Sequence, residues 1–389
     1  MAELLAQPLI EQAIAAAGSD DFAGDEWREG LDRLLDSLNA EADLNELGET
    51  IAAGEVVGYL TNRLEIVAER NAHPENAAGA ITRPIFIVGQ ARSGTTILHD
   101  LLAQDPANRV PLTWEVDKPC PPPEPGTRAD DPRVEEVEAT LAMVDLVIPG
   151  FRSMHPMGAM LPQECVRITA LDFRSMIFPT QYRVPSYAAW LIDEADMASA
   201  YRWHRTFLQH LQSRSPSARW VMKSPGHIWC LGALMAEYPD AVLVQTHRDP
   251  LRIVASLSSL VATLRSLASD TTTIEVAASD FADLIIEGVD RSVTDRDDGT
   301  VPAGSVVDTQ FAAFMADPFA TIAEIYERLG LVLTAGAEQR MRAFLADNAQ
   351  DKHGGHAYTW AATGLDEPAL RARTKRYEER FAVPVEPLT

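Results

Sequence analysis

Between Phe86 and Asp100 the chain reads FIVGQARSGTTILHD, and the residue types in that stretch suit the capture of an anion. Gly89 and Gly94, with four residues between them, let the backbone bend tightly and turn peptide N–H groups toward a ligand. Ser93, Thr95 and Thr96 add hydroxyl donors, and a helix leaving the loop adds the positive end of its dipole. A loop built for a nucleoside triphosphate and Mg²⁺ follows its second glycine with lysine. Here Thr95 fills that slot, and Arg92 brings the cation inside the loop instead. A guanidinium is permanently charged, and its planar edge matches two oxygens of a phosphate- or sulfate-like group. Downstream, AVLVQTHR ends in Thr246, His247 and Arg248, without the acidic residue that would help to hold Mg²⁺. Metal-independent handling of an oxyanion is the chemistry these residues suit.

Three further segments make the pattern specific. VGQARSGTT resembles the 5′-phosphosulfate loop of sulfotransferases that use 3′-phosphoadenosine 5′-phosphosulfate (PAPS), nearest the R-S-G-T-T branch of tyrosylprotein and many bacterial sulfotransferases. HRDPLRIVAS resembles that family's 3′-phosphate site, in which an arginine opens R-[ND]-P and a serine follows, here Arg248 and Ser256. MKSPGH resembles its K-[SD]-P element, and KHGGHAYTWAATGLDE its glycine-containing segment that closes over the nucleotide. The resemblance spans roughly residues 83–360. It implies PAPS as donor, 3′-phosphoadenosine 5′-phosphate (PAP) as product, no metal, and a small-molecule hydroxyl as acceptor. Arg92, Ser93, Gly94, Thr95 and Thr96 would hold the 5′ end, and Arg248, Ser256, Lys352, Gly354 and Gly355, with His353, the 3′-phosphate. Lys223 would neutralise the bridging oxygen, and Glu115 of TWEVDKP would be the general base, with His227 next and His155 a further rival. Two alternatives remain open: a degenerate P-loop small-molecule kinase or hydrolase, and a nucleotide-binding protein without turnover.

The elements that must position these residues follow from periodicity. Residues 1–72 carry apolar side chains at helical spacing. TRPIFIVG, WVM and AVLVQT read as short buried strands of a parallel sheet, each followed by a helical stretch, and GSVVDTQ as a further strand. The expected fold is α/β, a P-loop-type three-layer sandwich with a central parallel sheet flanked by helices and an N-terminal helical extension. That extension is expected over residues 1–80 and the sulfotransferase-like domain over 81–389, with 143–215 as a helical insertion forming acceptor pocket and lid. PLTWEVDKPCPPPEPGTRADDP reads as an irregular, proline-rich excursion. Met154, Met157, Met160, Phe173, Phe178 and Tyr182 are expected to line an apolar acceptor cavity.

The bulk properties narrow the class. The 389 residues include 33 basic and 57 acidic side chains, a formal charge of −24 that repels nucleic acid and anionic membrane surfaces. Any anionic ligand must therefore be held by a local basic pocket. With 46% hydrophobic and 23% charged residues the chain is ordinary globular protein. Cys120, Cys165 and Cys230 are few and scattered, which fits free thiols in a reducing compartment. No basic leader and no membrane-length apolar run is visible, so a cytoplasmic protein is expected, and a homodimer is compatible with everything in the sequence.

Overall fold

Three helices precede the sheet: α1 (Ala6–Ala17), α2 (Trp27–Glu41) and α3 (Glu46–Ala72). Trp27, Leu31, Leu34, Leu35 and Leu38 of α2 turn inward at helical spacing. Asn45 caps α3 by accepting from the Gly48 amide at 2.8 Å. Arg63 of α3, only 3% exposed, ties these helices to the rest of the chain. It donates to the carbonyls of Phe22 and Leu171 and to Asp172, and its guanidinium lies 4.0 Å from the Trp203 ring centroid. This computed structural model describes residues 3–75, 79–148, 151–215, 219–348 and 358–388.

The sheet contains β1 (Ile85–Val88), β2 (Val221–Lys223), β3 (Val242–His247) and β4 (Val306–Gln310), all parallel, in the order β2-β1-β3-β4. Ile85 stands opposite both Val221 and Val242, and His247 opposite Gln310. Phe86, Met222 and Leu243 join the cluster that holds the N-terminal helices. Ile85, Ile87, Val221, Val244 and Val307 face a second cluster on the other side. Both faces are covered, which is why β1 and the first residues of β2, β3 and β4 read as apolar runs. The α/β fold with its flanked parallel sheet is as the sequence implies.

α4 (Thr95–Leu102) leaves β1 through the glycine loop. Between α4 and β2 run α5 (Thr113–Asp117), α6 (Pro132–Val147), α7 (Phe151–Met154), α8 (Cys165–Thr169), α9 (Ile177–Gln181), α10 (Pro185–Asp193) and α11 (Met197–Gln212). The proline-rich excursion thus holds one short helix, α5. α12 (Leu231–Glu237) links β2 to β3, and the pair α13 (Pro250–Arg265) and α14 (Ile274–Asp297) links β3 to β4. α15 (Phe311–Ala316), α16 (Pro318–Arg328), α17 (Ala335–Asp347) and α18 (Glu367–Phe381) follow. Asp131, Asp249 and Asp317 each precede a proline and accept a main-chain amide, so Asp-Pro marks the start of α6, α13 and α16. No helix among the described residues is long and apolar enough to cross a membrane. The carboxyl ends of β1, β2 and β3 lie side by side, and a crevice at that edge is where open parallel sheets bind ligands.

Candidate active site

The loop between β1 and α4 is shaped by three left-handed residues, Gly89 (φ 129°), Arg92 (φ 66°) and Gly94 (φ 88°). At Gly89 the backbone passes so close to β3 that a Cβ would stand 2.4 Å from Thr246 Oγ1. Ser93 closes the loop from inside: its hydroxyl donates to the Gln90 carbonyl at 2.5 Å and lies 2.6 Å from the Thr246 hydroxyl. The Ser93 side chain, expected to donate to a ligand, is therefore turned inward and committed to holding the loop on β3. Thr95 is buried as well, and Thr96 carries the loop's hydroxyl toward β2, where it accepts from Lys223 Nζ at 3.1 Å.

Arg92 leaves the loop in two directions. Its Nε donates to Ser256 Oγ at 3.0 Å, and its Nη1 to the Met154 carbonyl at 2.9 Å. Burial pushes its pKa down and the neighbouring Arg248 adds to this, although an arginine keeps its proton under such conditions. Arg248 donates through Nη1 to the Arg92 carbonyl at 2.7 Å, and its guanidinium lies 3.9 Å from the Phe311 ring centroid. Its other edge, Nε and Nη2, meets both carboxylate oxygens of Glu386 at 2.9 Å each. Arg92 of the loop thus joins Arg248 and Ser256, from the end of β3 and from α13, in one connected group.

Lys223 ends β2 with 2% of its side chain exposed and pairs with the carboxylate of Glu164, a residue that sequence spacing did not single out. Glu164 stands at the N-cap of α8 after an irregular run, and an isolated bridge between Leu112 and Pro162 fixes that run against the site. A lysine, a hydroxyl and a carboxylate thus meet at the mouth of the loop.

Glu115 has a different setting. It is fully buried, and its Oε1 accepts from Arg109 Nη2 at 3.2 Å and Arg128 Nε at 2.7 Å. Its Oε2 accepts from the Leu112 amide at 3.0 Å, the reach-back of a residue in the first turn of a helix. Burial holds the pKa of Arg109 down to about 10, with Glu115 working against that fall. His227 is buried beside Tyr201, whose hydroxyl lies 2.7 Å from Nδ1, and burial keeps the ring far below the ordinary imidazole pKa. Burial also depresses His155, against the opposing charge of Glu164.

The structure also holds a cavity of about 340 Å³, which His227 lines and which Glu164 and Lys223 do not themselves line. Cys165, next to Glu164, and Ser224, next to Lys223, are on its wall, with Met176, Leu191, His227 and Trp229. The apolar residues expected to line an acceptor cavity mostly do something else. Phe173, Phe178 and Tyr182 are core, Met154 and Met157 pack on the α13–α14 cluster, and Met160 is 41% exposed. The wall of this cavity comes from residues around 165–176, 191–201 and 224–233, with Arg291 and Asp295 of α14. Lys352, His353, Gly354 and Gly355 lie outside the described residues. Among the described residues no group of three or more His, Cys, Asp and Glu side chains could hold a metal ion.

Comparison with known proteins gives a consistent picture. A sulfotransferase family model matches residues 84–335. The omega-hydroxy-beta-dihydromenaquinone-9 sulfotransferase Stf3 of Mycobacterium bovis is 25% identical over 297 residues, 71% of this chain and 70% of that protein. The crystal structure of sulfotransferase STF1 from Mycobacterium tuberculosis superimposes with a TM-score of 0.84 and 32% identity, over 98% of this chain and 99% of that one. Sulfotransferase STF9 from Mycobacterium avium gives a TM-score of 0.89 and 30% identity, over 98% and 97%.

Proposed function

This chain belongs to the sulfotransferase family, and we propose that it moves the sulfuryl group of PAPS to the hydroxyl of a small apolar alcohol or phenol. PAPS supplies an activated sulfuryl group that passes in line to the acceptor, leaving PAP, with charge spread over the oxygens in flight. One contact above all supports the reading: Lys223 lies between the Thr96 hydroxyl and the Glu164 carboxylate at the carboxyl end of the sheet. The loop amides, Thr96 and the positive end of α4 hold the 5′ end, and Arg92 turns its fixed charge to the same group. Lys223 meets the negative charge that builds on the bridging oxygen. Glu164, relieved of Lys223, accepts the proton of the acceptor hydroxyl. Arg248 and Ser256 take the 3′-phosphate. The residues fit that group, since the edge of Arg248 already holds two carboxylate oxygens in the paired geometry a phosphate uses.

Glu164 is placed ahead of Glu115 as the base because the Glu115 carboxylate is spent on Arg109, Arg128 and the Leu112 amide. The acceptor enters the cavity whose wall holds the neighbours of both Glu164 and Lys223. Its volume of about 340 Å³ suits a small apolar molecule or one end of a longer one. That the relative Stf3 is named for a hydroxylated dihydromenaquinone supports an apolar acceptor. The test is transfer of radiolabelled sulfate from PAPS to a panel of apolar alcohols and phenols. Wild-type protein labels at least one of them, and Glu164→Gln lowers kcat by about 10²–10⁴-fold with PAP affinity retained. Wild-type turnover by Glu164→Gln removes Glu164 as the base, whereas absence of both PAP binding and labelling overturns the whole reading.

A further inference from the structure

After α18 the chain turns at Ala382, a left-handed residue (φ 52°), and residues 383–388 bring an acidic side chain back to the end of β3. Val383 is buried in the cluster shared with the N-terminal helices, and Leu388 packs on the α13–α14 cluster. Between these two anchors Glu386 places its carboxylate on Arg248 through two parallel bonds of 2.9 Å, with Arg252 Nε 3.9 Å away. The Glu386 amide donates to Asp249 Oδ2 at 2.7 Å. Every edge of Arg248 is thereby taken, two nitrogens by Glu386 and one by the Arg92 carbonyl.

We propose that Glu386 is an internal competitor for the donor nucleotide: its carboxylate stands in the position of the 3′-phosphate and must leave before the donor can seat. The inference rests on the assignment of Arg248 to the 3′-phosphate made above. A phosphate needs the Nε and Nη2 edge that Glu386 occupies, and two adjacent anions on one guanidinium repel each other. The segment is built to leave. Val385 is 63% exposed and Glu386 a quarter exposed, so little apolar contact is lost when they lift. Asp249 keeps Arg371, at 2.8 and 3.1 Å, and the Leu251 amide, so release leaves its buried carboxylate paired, while the incoming phosphate takes over Arg248. The free chain is thus held mainly in a form whose phosphate site is closed by its own carboxylate.

Calorimetric titration of the full chain with PAP, and with adenosine 5′-phosphosulfate, which lacks the 3′-phosphate, tests this. Because apparent affinity scales with the open fraction, Glu386→Gln and Glu386→Ala bind PAP about tenfold or more tighter than wild type. Their affinity for adenosine 5′-phosphosulfate stays at the wild-type value. In the wild type, saturating PAP also speeds hydrogen exchange at the Glu386 amide. PAP affinity that is unchanged or weaker in both variants overturns the competitor, assigns Glu386 to holding Arg248 in place, and leaves the PAPS reading standing. Binding of PAP by neither wild type nor variant overturns the PAPS reading, and the competitor with it.

Discussion

The carboxylate of Glu115 is wrapped by Arg109, Arg128 and the Leu112 amide, and none of it reaches solvent. Removing one member of such a buried set leaves the other uncompensated, so Glu115→Gln is expected to destabilise the fold by about 3 kcal/mol. Denaturant unfolding reads this directly. The folded fraction of that variant is expected to turn over at the wild-type kcat, in contrast to Glu164→Gln, and a lowered kcat with unchanged stability would restore Glu115 as the base. Residue types alone mark both glutamates as acids, but their partners decide the role. TWEVDKP sits where a base is expected, and nothing in its neighbours announces that Arg109 and Arg128 will converge on it. The place of Arg92 inside a glycine loop is plain in the sequence, whereas its bonds to Ser256 and the Met154 carbonyl depend on distant segments. Ser93 was half legible: its place in the loop is fixed by sequence, whereas the inward turn of its hydroxyl depends on Thr246 of another strand.

At the scale of elements, the loop works because β1 and β3 touch at Gly89. A side chain there would collide with both the hydroxyl and the carbonyl of Thr246, at 2.4 and 2.6 Å, in a backbone region that L-residues avoid. Gly89→Ala is expected to open the β1–α4 loop, lower the melting temperature and abolish PAP binding. A variant that binds PAP normally would show that the loop tolerates the displacement. The strands themselves were legible, since burial on both faces leaves apolar runs such as IFIV of β1 and VLV at the start of β3. Three helices open on an Asp-Pro step, an equally local feature. The order β2-β1-β3-β4 is not local, and Glu164 shows the consequence. It comes to Lys223 on an irregular run that pairs with Leu112, just before α5, a pairing with no periodicity to reveal it.

At the scale of the whole molecule, burial leaves a titration signature. Burial holds His99 and His204 at pKa values of about 3 and His210 at about 4, below the ordinary 6.5. Between those values and 6.5 the unfolded chain binds protons that the folded chain refuses, so stability falls as pH drops through that window. Each histidine contributes up to about 1.4 kcal/mol per pH unit there. Asp100, raised by burial to about 7 from 3.8, works the other way with one proton over the same range. The net expectation is a melting temperature that declines from pH 6.5 toward pH 5, and a flat profile across pH 5–8 would contradict it. The strap at the C-terminal end acts on a different property, discrimination. A carboxylate tethered between Val383 and Leu388 faces Arg248 at an effective concentration on the order of millimolar or more. If Glu386 is such a competitor, inorganic phosphate or chloride, held at this guanidinium alone and by no tether, loses that contest. A ligand anchored at both the glycine loop and Arg248 wins it, because its second contact is also made from a tether. On that proposal the chain's own acidic residue is a filter on cellular noise, admitting an anion only when it arrives as part of a longer molecule.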